Sequence, residues 1–318
     1  MRIAVVGAGA IGGFIAGMLA RAGTPVAVVA RGAHLRAIQA HGLDVRSEAG
    51  DFKVALPASD DLRKLGDFEA VLLSVKAHQL EGLLPQLAPS LERGAYFVPM
   101  INGIPFWYFA DRPLKSIDPE GRLRAFFPQD RLIGCVVQAS GNVVPPGTVR
   151  QSGGMTYTLG EPDGRRTERV AELAGILTHA GMQAPVETDI RRAVWYKLLG
   201  NASLNPVSAL TRSTIRGMLD DPAVYGVIAT VMGEAMSVAC AAGIDLGVTV
   251  DARIAHASRL EDVKTSMLQD AETGRRLEIE PIVGALVELA ETFGVEVPTL
   301  RLLYVLTKRL DAALAAEQ

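Results

Sequence analysis

The chain has 318 residues, 49% hydrophobic and 21% charged, which suits two domains with a large packed core and excludes disorder as the main state. Its 32 basic and 35 acidic residues leave a net charge of −3, so it carries no basic field for nucleic acid or an anionic membrane. Two distant cysteines, Cys135 and Cys240, exclude a disulfide-stapled scaffold and suit a reducing cytoplasm, no signal-peptide pattern opens the chain, and no uncharged apolar run reaches the ~20 residues of a membrane span.

Ile3 to Val6 reads as a strand, followed by Gly7-Ala8-Gly9-Ala10-Ile11-Gly12 and then by apolar positions Ile11, Ile15, Met18, Leu19 and Ala22 on one helical face. A G-x-G-x-x-G sequence between a strand and a helix is the setting in which this motif binds a dinucleotide. Gly7 allows the tight turn, Gly9 lets the backbone approach a pyrophosphate, and Gly12 lets helix and strand pack closely. The start of the helix offers N–H groups and a positive dipole end to the phosphates. Val26 to Ala30 is the second strand. Arg31 follows it, nineteen residues after Gly12, and no acid occurs from 25 through 43. An acid there would hold a ribose 2′-OH; a guanidinium takes a 2′-phosphate instead, so the expected cofactor is NADPH/NADP.

A helix over 33–41 and a meander through Phe52 to Leu56 come next. Ala70 to Val75 and Tyr96 to Ile101 are continuous apolar runs of the kind that form parallel strands buried on both faces. Lys76 and Asn102 follow these runs directly, at the carboxyl edge of the sheet where open α/β folds bind ligands. Asn102-Gly103 also fits an ordinary turn pair. Residues 105–130, with Phe106, Trp107 and Tyr108, read as an inserted loop. Its aromatic residues either shape substrate access or pin the loop. Residues 131–160 return to strand-like runs expected to extend the sheet, partly antiparallel, and 168–181 form another helix.

From about 189 the pattern is helical, with helices expected at 189–205, 222–242, 250–259, 281–293 and 299–315. The expected fold is therefore α/β, an N-terminal Rossmann-type doubly wound sheet over 1–187 followed by an all-helical C-terminal domain over 188–318. In the first of these helices Lys197, Asn201 and Asn205 recur every four residues and form one polar stripe in apolar surroundings. The stripe either lines a cleft for a polar ligand or serves a structural hydrogen-bond network. On one straight helix Ser266 and Glu278 would be about 18 Å apart, and a break near Gly274 would let both face one site. Glu278, Glu280 and Pro281 also fit a helix start. The five histidines have no metal-ligand spacing, so no metal is expected, and there is no G-x-S-x-G or G-x-x-x-x-G-K-[ST] motif. Without a suitable histidine, a lysine is the candidate proton donor.

In Gly7–Gly12, Arg31, Ser74-Val75-Lys76-Ala77-His78-Gln79, Asn102-Gly103-Ile104, Trp195 to Pro206, Ser266-Met267-Leu268-Gln269-Asp270 and Glu278-Ile279, the chain resembles the ketopantoate reductase (2-dehydropantoate 2-reductase) family over nearly its whole length. The resemblance implies a cytoplasmic NADP-dependent oxidoreductase acting on CH-OH, reducing ketopantoate to pantoate on the route to pantothenate and coenzyme A. It implies Lys197 as general acid, with Glu278 on the far side of the site as second catalytic candidate and cofactor contact. Asn102, Asn201, Asn205 and Ser266 would hold a small 2-oxo acid. The loop Gly7, Ala8, Gly9, Ala10, Ile11 and Gly12, with Arg31, Lys76 and Asn102, would hold the cofactor. A homodimer is the assembly considered. The chain departs from the family pattern at Phe106–Tyr108 and at Glu280-Pro281. Two other activities fit the same residues: reduction of a different 2-oxo acid, and non-catalytic NADP(H) sensing.

Overall fold

A computed structural model describes residues 1–48, 50–109, 112–258 and 262–316. The chain forms two compact units, one of Met1–Ile101 with Gly121–Ile190, the other of Asn102–Glu120 with the chain from Arg191 onward.

The first unit contains β1 (Ile3–Val6), α1 (Ala10–Arg21), β2 (Val26–Val29), α2 (Gly32–His41), β3 (Leu43–Arg46), β4 (Phe52–Val54), β5 (Ala58–Ser59), β6 (Ala70–Leu73), α3 (Leu84–Glu92), β7 (Tyr96–Pro99), α4 (Arg122–Phe126), β8 (Gly134–Val143), β9 (Thr148–Gly160) and α5 (Glu168–His179). Strands β5-β2-β1-β6-β7 make one sheet in that order, every pairing parallel. Its four-residue strands β1, β2 and β6 are buried throughout, as expected for strands covered on both faces.

The sequence pattern expects the strands after 131 to extend this sheet. They do not. β8 and β9 pair antiparallel and join β3 and β4 in a second sheet, ordered β4-β3-β9-β8. Among the described residues a single bridge, Phe97 to Leu132, links this sheet to the first. The physical reason lies in α1, which is apolar nearly all round and therefore needs cover on both sides. Its Gly13 and Gly17 face β9 and β3. A Cβ on Gly13 would stand 2.7 Å from Val149 Cγ1, and one on Gly17 would overlap Val45. The helix is packed between the two sheets, and the core of this unit runs through it.

The second unit contains α6 (Ile190–Thr211, its first residue in the other unit), α7 (Ile215–Leu219), α8 (Pro222–Ala241), α9 (Val250–Ala257), α10 (Ser266–Glu272), a π turn over Glu280–Gly284, α11 (Ala285–Phe293) and α12 (Pro298–Ala316). The expected helix 189–205 runs on through Pro206 to Thr211. Burial of Val207 and Ala209 offsets the lost backbone hydrogen bond. The expected helix 250–259 ends at Ala257 with Ser258 as its C-cap, and Arg259 lies outside the described residues.

α8 has the length and composition of a membrane span, with a mean hydropathy of 1.5. Here its Ile228, Val231, Met232, Ala235, Val238 and Ala239 are buried, and it packs on α7, α9, α11 and α12. Its Glu234 accepts the N–H groups of Thr299 and Leu300 at 3.0 and 2.7 Å, capping α12.

The segment 105–130, read as one inserted loop, is split between the units at Glu120. Its first part is tied into the helical unit. Glu288 accepts from Lys115 N at 2.8 Å and from Ser116 N and Oγ at 2.9 and 2.7 Å, and Arg112 lies over the Phe293 ring. Phe106, Trp107 and Tyr108 are buried, with Trp107 and Tyr108 stacked, so these aromatics anchor the segment. Ala110 and Asp111 lie outside the described residues.

Candidate active site

In the first unit the glycine loop joins β1 to α1. Gly7 has φ +103°, and a Cβ there would stand 2.5 Å from the Ser74 carbonyl, so only glycine makes this turn beside β6. A Cβ on Gly12 would overlap the Gly7 carbonyl oxygen. Gly9 is different. Its backbone is ordinary, φ −66° and ψ −169°, and beyond its two chain neighbours no protein atom lies within 4 Å of where its Cβ would be. Neither strain nor packing explains that glycine; open space above the first turn of α1 does. Gly9 is also the N-cap of α1 and brings no side chain to it, and the first turn carries no acid. The unsatisfied N–H groups and dipole end of a helix start are left for an anion. Ala8 is buried, and Ala10 and Ile11, the first residues of α1, are half-buried.

Arg31 follows β2 and is the N-cap of α2, exposed, with no side-chain partner among the described residues. Lys76 stands just beyond β6. Its main-chain N–H donates to Gln79 Oε1 at 3.1 Å, which fixes the turn that carries it. These residues fit a dinucleotide with a 2′-phosphate: an open backbone cradle, an uncapped helix start and an uncommitted guanidinium.

The second unit brings together residues that the sequence spreads over three segments. Lys197 Nζ, on α6, donates to Asn102 Oδ1 at 2.6 Å, and Asn102 Nδ2 donates to Glu278 Oε2 at 2.9 Å. The order is chemically forced. An ammonium only donates and a carboxylate only accepts, so the amide must turn its oxygen to Lys197 and its nitrogen to Glu278.

The Asn102 loop is held by backbone. Ile104 N donates to Pro281 O at 2.8 Å, and Gly103, with φ +81°, passes so close that a Cβ would overlap that carbonyl. Glu278 is in turn held on both sides by α12. Asp311 accepts from Leu277 N at 2.8 Å and from Arg276 Nε at 2.9 Å, and Tyr304 Oη donates to Glu280 Oε2 at 2.8 Å. Lys308 pairs with Glu280 Oε1 at 3.0 Å, and its pKa is raised chiefly by hydrogen bonding to Glu280.

Asn201 and Asn205 follow Lys197 at one-turn intervals along α6. Asn205 is buried, and neither amide side chain has a protein partner among the described residues. Buried amides without protein partners need solvent or a ligand. Ser266 opens α10 and is exposed, hydrogen-bonded to none of Lys197, Asn102 or Glu278. Gly274, with φ +67°, does break the helix between Ser266 and Glu278. The reading of the sequence missed Gly103 as a close-approach glycine, and it missed Asp311 and Tyr304. An Asp on an otherwise amphipathic helix gives no local signal of what it holds. No cluster of metal-ligating side chains occurs among the described residues.

A parallel sheet with this glycine loop makes the first unit a Rossmann-type dinucleotide-binding domain. The family model "Ketopantoate reductase PanE/ApbA" matches residues 3–164 and its C-terminal companion residues 189–311. The chain belongs to the ketopantoate reductase family.

It is 41% identical over 318 residues to a 2-dehydropantoate 2-reductase of Mesorhizobium japonicum, covering 98% of each chain. The crystal structure of a PanE/ApbA family ketopantoate reductase from Ralstonia eutropha JMP134 is 29% identical with a TM-score of 0.86, covering 99% of this chain and 100% of that one. The crystal structure of 2-dehydropantoate 2-reductase from Geobacter metallireducens is 28% identical with a TM-score of 0.87, covering 97% and 99%.

Proposed function

We propose that the chain reduces 2-dehydropantoate to pantoate with NADPH, in the cytoplasm, as a step toward pantothenate. The observation that carries this reading is the hydrogen-bonded chain from Lys197 through Asn102 to Glu278, built in a member of this family from three separate segments. The glycine loop, Arg31 and Lys76 hold the cofactor, which when bound supplies the hydride for the substrate's C2 carbon. Asn201, Asn205 and Ser266 hold the 2-oxo acid.

Lys197 donates a hydrogen bond to the C2 oxygen. As hydride arrives at carbon, negative charge grows on that oxygen, and the ammonium both stabilises it and transfers a proton to it. The carbonyl thereby becomes a C–H and an O–H. Glu278 holds the Asn102 amide so that its oxygen faces the ammonium. This orients the ammonium toward the substrate oxygen.

Initial rates of NADPH oxidation with ketopantoate and a panel of other 2-oxo acids test the reading. Ketopantoate should be reduced with the highest kcat/KM. A higher value for another acid overturns the substrate, and no turnover of any acid leaves a nucleotide-binding sensor.

A further inference from the structure

α9 carries a charge for which the fold gives no counter-ion. Arg253 is only 9% exposed, and no carboxylate lies against it among the described residues. Its Nε donates to the Tyr196 carbonyl at 3.3 Å, and its guanidinium carbon lies 4.9 Å from the Tyr196 ring centroid. Those contacts use one of its five N–H groups. The Nη1 and Nη2 groups have no protein partner among the described residues and are not sealed from solvent. They lie over Gly200, where a Cβ would overlap Nη2.

Both halves of this arrangement are costly. A guanidinium is taken largely out of water without an anion, and the interior of α6 gives up helix propensity to a glycine. Burial draws the pKa of Arg253 below the ordinary arginine value, and the neighbouring Tyr196 only partly opposes that. The group stays charged regardless. Were the purpose only to tie α9 to α6, an apolar side chain would do it without the desolvation.

Position supplies the return. On a helix surface the neighbours of a residue are those three and four away, so Gly200 adjoins Lys197, about 5–6 Å between Cβ positions. In a 2-oxo acid the carboxylate is bonded directly to the carbonyl carbon.

We propose that the Nη groups of Arg253, lying over Gly200, bind the carboxylate of the 2-oxo acid substrate while Lys197 engages its C2 oxygen. This rests on the reductase reading above and adds how the site selects acids over neutral carbonyl compounds. The planar fork of guanidinium matches a carboxylate in paired hydrogen bonds, and those bonds are strengthened by the low local dielectric. No covalent step is involved.

The test compares 2-dehydropantoate with its 2-oxo amide, which keeps the carbonyl and loses the charge. Kinetics are measured in wild type, Arg253→Met, Arg253→Lys and Gly200→Ala. Arg253→Met should raise KM for the acid roughly tenfold to a hundredfold, the loss expected for charge-assisted hydrogen bonds. Its kcat should change less, the amide should stay within about twofold, and NADPH binding should be unaltered. Arg253→Lys should restore part of the preference for acid.

Gly200→Ala covers the case in which Arg253→Met fails to fold. It retains the charge, favours the helix and displaces the guanidinium, so it should cause the same selective loss. Equal losses for acid and amide, or no loss in either, overturn the inference while leaving the reductase reading intact. A wild-type protein that reduces no 2-oxo acid overturns both.

Discussion

At the glycine loop of the first unit, the groups left open are main-chain N–H groups, and the side chains that matter are the missing ones. Gly7 is glycine because its φ is +103° and Gly12 because a Cβ would strike the turn, whereas Gly9 is glycine with nothing beside it. α1 begins there uncapped. Five helices of the second unit start in the opposite way. Thr214, Asp221, Thr249 and Thr265 cap α7, α8, α9 and α10 with their own side chains, and Glu234 caps α12. With those dipole ends satisfied, the polar work falls to side chains. Lys197, Asn102 and Glu278 hold one another, and α12 holds the segment on either side of Glu278. One region works by leaving backbone exposed, the other by positioning charge. The first should therefore be sensitive to a methyl group and the second to removal of one ammonium.

Lys197→Ala gives the largest expected effect. It should lower kcat about 100-fold to 10,000-fold, the range for a positioned acid, and leave the NADPH dissociation constant unchanged, because the glycine loop belongs to the other unit. Steady-state kinetics with a fluorescence titration of NADPH separate the two. A near-normal kcat removes the lysine from the chemistry, and weakened NADPH binding breaks the division of labour between the regions.

The two glycines at the start of α1 sharpen the other half of the comparison. Gly9→Ala should leave the Tm of the ligand-free protein unchanged, since its Cβ enters open space, yet weaken NADPH binding roughly tenfold or more by keeping the phosphates off the backbone. Gly12→Ala should cost about 1–3 kcal/mol of stability through overpacking against the Gly7 carbonyl. Calorimetry of both variants with and without NADPH checks this. A Tm loss in Gly9→Ala would show that its glycine serves folding after all.

Arg31→Ala is a smaller and more selective change. Removing a hydrogen-bonding cation from a 2′-phosphate typically costs about 1.5–3 kcal/mol, so NADPH should bind roughly tenfold or more weakly while NADH is unaffected. Equal weakening of both cofactors, or a wild-type preference for NADH, would mean that Arg31 does not read the phosphate.

The same contrast explains what is legible in the amino-acid sequence alone. The glycine loop is contiguous and its function is local, so strand, turn and helix start all appear in Ile3 to Ala22, with Arg31 close behind. The stripe of Lys197, Asn201 and Asn205 is legible because one helix carries it. Its partners are not, because Asn102 lies 95 residues from Lys197 and Glu278 lies 176 residues from Asn102. Asn102-Gly103 fits a common turn pair, and only the approach of the Pro281 carbonyl shows why Gly103 is there. The second sheet was illegible for a related reason. Apolar runs reveal strands but not which strands α1 requires on its far side. Arg253 and Asp311 each look like an ordinary polar residue on an amphipathic helix until burial is known.

The smallest expected effect concerns His34, which asks whether the ligand edge of the first unit depends on any titrating side chain. His34 lies near the start of α2, three residues after Arg31, and its Nδ1 accepts the Gly147 N–H at 2.8 Å from the β8–β9 turn. Its Nε2 is buried and hydrogen-bonded to no described group. Burial lowers the pKa, and the neighbouring Ala8 main chain opposes this only in part. The folded state thus prefers the neutral ring, and its pKa lies below the unfolded value of about 6.5. A depressed pKa of this kind contributes stability that is fully present above about pH 6.5 and is lost as pH falls through the folded pKa. His34→Gln keeps an acceptor and cannot titrate. Between pH 7 and pH 5 the Tm of wild type should therefore fall more steeply than that of His34→Gln, with the two curves parallel above pH 7. Parallel curves across the whole range would leave this edge with main-chain groups and Arg31 alone, and a steeper fall in the variant would reverse the sign assigned to His34.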